Sequence, residues 1–121
     1  MNRFGDRTGD ETGAATVLAA TFIAILALVS IAGIWLGSAV IARHRAQSAA
    51  DLAALAAAAG MPTGTAAACG QAAALARAMA ARVLACTAEQ LDVTVVVSVP
   101  VGAVFGRHAR ASARAGPVTS D

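Results

Sequence analysis

Lysine and tyrosine are absent from this 121-residue chain, and one Trp and three Phe are its only aromatics. Every strong base is therefore an arginine, and the nine arginines are scattered along the chain among seven acids. Nucleic-acid binding calls for a dense basic run with interleaved aromatics, so no nucleic-acid partner is expected. His44 and His108 are the only histidines, and the two cysteines, Cys69 and Cys86, are too widely spaced for the usual zinc pattern. Catalysis needs a nucleophile with a base, paired carboxylates or metal ligands. Beyond the apolar run the acids are Asp51, Glu89, Asp92 and Asp121, and no spacing brings one to a histidine within a local element. A phosphate-binding glycine loop is also missing, and so short a chain does not readily bury a substrate pocket. The reading is a protein without catalytic residues, metal or cofactor.

What the sequence does have is an uncharged apolar run from Thr12 to Ala42, passing directly into Arg43-His44-Arg45. A bilayer-spanning helix needs about 20 apolar residues. Between Val17 and Leu36 lie eleven Leu, Ile, Val and Phe residues, which favour the membrane by roughly 3–7 kcal/mol. Thr16, Thr21 and Ser30 can hydrogen-bond back into the helix. Trp35 suits the headgroup region, with Arg43 and Arg45 as polar anchors. Membrane lipid is thus an expected partner. A cleaved secretory signal, giving a secreted mini-protein, stays open at Gly37-Ser38-Ala39, although signal cores usually run only about 7–15 residues.

Charge barely decides orientation, because Arg3 and Arg7 oppose Arg43 and Arg45 across the span. The cysteines break the tie: read as one disulfide, with two free thiols as the alternative, they require the oxidising side. The expectation is a single-pass cell-membrane protein with a cytoplasmic N-terminus and an extracytoplasmic C-terminal domain. Thr16, Ala20, Ala24, Ala27, Ser30, Gly33 and Gly37 recur at three- and four-residue steps. Gly33 and Gly37 form a G-x-x-x-G, a candidate helix–helix contact for self-association, with a plain anchor as the alternative.

The soluble part reads as α+β. The alanine-rich stretch to Ala59 continues the helix, with Leu52 and Leu55 marking an apolar stripe and Gln47 and Asp51 one turn apart on another face. Asp51 is either a polar contact to a partner subunit or a solvated, locally hydrogen-bonded acid. Gly60, Pro62 and Gly64 form a turn. A second helix is expected from near Thr65 to about Arg82, with Leu75, Met79 and Val83 as its buried stripe. Val93, Val95, Val97 and Val99 then alternate as a strand. Ala109, Ala111, Ala113 and Ala115 alternate with His108, Arg110, Ser112 and Arg114, giving an antiparallel hairpin with a basic outer face. That face is either solvated or touches anionic headgroups. A bond between Cys69 and Cys86 closes only if the second helix ends before Arg82 or loosens near Gly70. The expected organisation is a cytoplasmic leader at 1–13, a transmembrane helix at 14–42, a juxtamembrane helix at 43–60, a small αββ domain at 61–116 and a disordered tail at 117–121.

After a single span, the stretch from Arg45 to Ala58 (RAQSAADLAALAAA) resembles the TadE/TadG-like proteins of tight-adherence (Flp) pilus systems. The likeness extends to Gly13-Ala14-Ala15-Thr16-Val17-Leu18, the cysteines, the valine strand and Ala113-Arg114-Ala115-Gly116-Pro117, as in small actinobacterial members beside helicase and secretion genes. It implies a pseudopilin-like, membrane-anchored component of a pilus or secretion apparatus, with other apparatus subunits as partners. Gln47, Asp51 and Leu55 are then family-motif positions, and Gly13 is the candidate processing site. Processing of that type pairs such a glycine with a glutamate five residues on, where this chain has Leu18. The acid that pilin assembly uses in the membrane is therefore missing. A generic envelope protein with a partner-binding domain is the alternative.

Overall fold

The computed structural model describes residues 7–102 and 106–118, with side chains from Glu11 onward. Residues 1–6 of the expected leader and 119–121 of the expected tail lie outside them. The first element, α1 (Arg7–Gly60), is unbroken, as expected of a stretch rich in the best helix former and without proline. The chain divides into two compact units, Met1–Leu36 and Gly37–Asp121.

In the first unit, the large apolar side chains from Val17 to Leu36 all stand exposed, Leu18 and Ile34 most of all. A helix with no buried face is suited to a nonpolar solvent, where its backbone bonds are satisfied internally. Its hydroxyls are satisfied the same way. Thr16 donates to the Thr12 carbonyl at 2.9 Å, Thr21 to that of Val17 at 2.8 Å and Ser30 to that of Leu26 at 2.8 Å. The chain is α+β with an N-terminal helix long and apolar enough to anchor in a membrane.

In the second unit, the rest of α1 is followed by a 3-10 turn at Met61–Thr63, α2 (Thr65–Ala78), and strands β1 (Arg82–Glu89), β2 (Asp92–Val101) and β3 (Arg107–Ala115). The strands form one antiparallel sheet in the order β1-β2-β3. Val93, Val95, Val97 and Val99 face inward, opposite Ala115, Ala113, Ala111 and Ala109 of β3. They share one core with Ala46, Ala49, Ala50, Ala53, Ala54 and Ala57 of α1 and Ala68, Ala72 and Ala76 of α2. Gly60 marks a close approach of the two helices, since a Cβ there would lie 3.1 Å from the Ala68 Cα.

Two features depart from the sequence reading. The buried stripe of α2 is Ala68, Ala72 and Ala76, whereas Leu75, Met79 and Val83 are only half-buried. The helix also stops at Ala78, four residues before Arg82, and leaves room for a third strand. The stop needs neither Gly nor Pro. The Ala81 N–H reaches back to the Ala76 carbonyl at 2.8 Å and the Ala80 N–H to that of Arg77 at 3.0 Å, the paired bonds of a Schellman motif. Ala80 takes the left-handed position, at φ 56°, which costs an L-residue roughly 1–2 kcal/mol. Ala80→Gly should therefore stabilise the domain by up to about 1 kcal/mol. The full chain in detergent should show a raised Tm, and a lowered one would contradict this account of the cap.

Candidate functional site

Because six alanines of α1 turn inward, its period turns Gln47, Ser48, Asp51, Leu52 and Leu55 outward, and all five are exposed. Gln47 Nε2 donates to Asp51 Oδ1 at 3.1 Å, one turn along the helix. Leu52 is 45% exposed and Leu55 60%. The apolar stripe that the leucines mark thus lies on the outer side of the helix, because alanines are small enough to meet the valine row and leucines are not. Asp51 and Leu55 also border a shallow hollow with Ala113, Arg114 and Gly116 at the end of β3. The motif positions Gln47, Asp51 and Leu55 therefore share one solvent-facing surface.

Cys69 and Cys86 are joined by a disulfide, with Cα atoms 5.9 Å apart. Two local features let them meet. The early end of α2 turns the chain back in time, and a bulge re-aims β1. The register passes from Val83↔Val97 to Ala85↔Val96, so Leu84 is the extra residue. Strict alternation from Val83 would send Cys86 outward. The bulge resets the phase so that Val83, Cys86 and Ala88 all pack against the core.

Gly13, Gly33 and Gly37 lie on α1, and a Cβ at any of them would meet nothing within 4 Å. On the outer face of the sheet, Arg114 pairs with Asp92, its Nε donating to Oδ2 at 3.0 Å. That hydrogen bond, followed by the carboxylate's charge, raises the Arg114 pKa above its ordinary value. Among the described residues no group of three His, Cys, Asp or Glu side chains is arranged to hold a metal.

Residues 13–60 match the Tad family model, described as Flp pilus-assembly TadE/G-like. This helical segment is TadE/G-like. The match ends where α1 ends, at Gly60, so the TadE/G-like part is the helix with its glycines and outward motif face. The chain is also 58% identical over 53 residues to "Apoptosis inhibitor Rv3654c" of Mycobacterium tuberculosis, covering 44% of this chain and 63% of that relative. No solved structure matches significantly.

The disulfide closes a loop with a sequence separation of 17, and a loop of about that length stabilises by about 3 kcal/mol. The double variant Cys69→Ala/Cys86→Ala should lower the Tm of the full chain in micelles accordingly. The native chain should take up iodoacetamide only after reduction and unfolding. Labelling of the unfolded, unreduced chain would refute the bond.

Proposed function

We propose that this chain is a non-enzymatic, single-pass membrane component of a Flp-type pilus or related secretion apparatus, structural or assembly in role. The observation that carries the reading is the TadE/G-like match over Gly13–Gly60, which holds both the apolar helix and the exposed Gln47, Asp51 and Leu55. In this reading residues 1–13 are a cytoplasmic leader, 14–42 the span, 43–60 a juxtamembrane helix, 61–116 an extracytoplasmic domain and 117–121 a tail. The disulfide supports that orientation, since such bonds persist on the oxidising side. The outward face of α1 meets other apparatus subunits, with Leu55 as apolar anchor and the Gln47–Asp51 pair beside it. Gly13 is the candidate processing site. With Leu18 in place of the buried acid, an assembly component fits better than a filament-forming pilin. Apoptosis inhibition is the role carried in the mycobacterial relative's name and stays with that protein, of which the match covers 63%.

A photo-crosslinker at Leu55, used in the native host, tests the reading. Adducts with Flp-type pilus or secretion subunits are expected, and adducts with lipid alone, or none, would overturn it. The intact mass of the membrane-extracted chain separates the fates of the N-terminus: a start at Ala14 marks processing, an intact N-terminus a plain anchor, and a start near Val40 secretion.

The open space at Gly33 and Gly37 allows a second helix backbone to approach closely in lipid. Gly33→Ile/Gly37→Ile should abolish in-membrane cross-linking between copies, and unchanged cross-linking would reduce the pair to a chance spacing.

A further inference from the structure

Charge is sorted by position within the unit Gly37–Asp121. Ala58, in the last turn of α1, and Met61, just after it, border one hollow with Leu91 of the β1–β2 turn and Gly116 after β3. The antiparallel order then puts the start of β1, the end of β2 and the start of β3 at the opposite end, joined by the C-terminal turn of α2. Glu89 and Asp92 lie at the first end, where Asp92 pairs with Arg114. Arg77, Arg82, Arg107, His108 and Arg110 belong to the opposite end.

Four of these side chains converge. Arg77, Arg82, His108 and Arg110 border a hollow of about 600 Å³ with Ser98, and no carboxylate lines it. Register explains the convergence. Arg82 is opposite Ser98, and Ser98 is opposite Arg110, so the three form one row on the outer face of the sheet. At the usual strand spacing the two arginine Cα atoms are about 10 Å apart, with Ser98 buried between them at 7% exposure. Among the described residues no acid forms an ion pair with any of the four.

We propose that this hollow binds the phosphodiester headgroups of anionic lipids, so that the basic end of the domain rests on a bilayer surface. Arginine forks over a hydroxyl-bearing floor suit tetrahedral oxyanions. The lipid source is favoured by this unit's own helix. Val40 and Ile41 are 55% and 62% exposed, and only Ala42 separates them from Arg43-His44-Arg45, so apolar and basic groups adjoin as at a membrane interface. Going back from Ala57, Ala53, Ala49 and Ala46 are core residues and Ala42 is still buried. This carries Arg43 towards the basic end. The inference rests on the membrane-anchored reading of α1 and not on the pilus role.

The test uses the full chain, ¹⁵N-labelled, in zwitterionic micelles at low salt, titrated separately with short-chain phosphatidylglycerol, the matching phosphatidylcholine and inorganic phosphate. The amide signals of Arg82, Ser98 and Arg110 should move with phosphatidylglycerol alone and return when salt screens the charges. Arg82→Gln/Arg110→Gln should weaken binding about 30-fold, on the scale of roughly 1 kcal/mol per arginine at an anionic surface. Arg82→Lys/Arg110→Lys, which keeps the charge but not the fork and guards against a folding effect, should lose clearly less than the Gln variant. Equal movement with phosphatidylcholine, an equal response to inorganic phosphate, or an unaffected Gln variant would each overturn the proposal. Membrane fractionation of the same variants reads α1 anchoring separately, and the Leu55 cross-links read the assembly role.

Discussion

Six alanines of α1, fully or almost fully buried, share the core with the four inward valines of β2, and this contact governs the rest of the domain. Alanine gives up no side-chain rotamer freedom on burial and lets a helix lie close to a sheet, but it removes little apolar surface from water. The valines supply most of the gain, about 1.5–3 kcal/mol each when fully buried. Ordering the backbone costs about 1–2 kcal/mol per residue, so a core this thin leaves little margin. The covalent tie between α2 and β1 and the close seating of Gly60 against Ala68 both reinforce it. The same closeness sets the surface chemistry. Leucines cannot enter the alanine-lined layer without lifting the helix, so Leu52 and Leu55 are left on the outside with Gln47 and Asp51.

Regular periods were legible in the sequence, and broken ones were not. The apolar run and the alanine stretch announce α1, and the valine and alanine alternations announce β2, β3 and the basic outer face. β1 escaped because its bulge at Leu84 interrupts the alternation that would have revealed it. The end of α2 escaped for a related reason. A backbone cap with alanine in the left-handed position leaves no Gly or Pro to read, so the helical pattern in the sequence runs on to Arg82. Of the candidate site residues, the Gln47–Asp51 spacing follows from helical pitch, whereas for the cysteine pair chain distance set only a condition, an early end or a loosening of α2, which the stop at Ala78 meets. Which side of α1 faced the sheet did not follow, because hydrophobicity points to leucine while the available space admits only alanine. The arginine–serine–arginine row is hidden for the same reason, since it exists only in the register of three strands.

The disulfide loop encloses α2 from Cys69 onward and the first half of β1 and leaves α1 outside it. A pull along α1 therefore reaches the sheet through side-chain contacts and through the short link at Met61–Gly64, never through a covalent bridge. Under such a load the helix would shear across the sheet with its alanine contacts strained together, while the stapled helix and strand stay in register with each other. Mechanically the domain is a clasp with one riveted side and one sliding side, and the sliding side is the TadE/G-like helix.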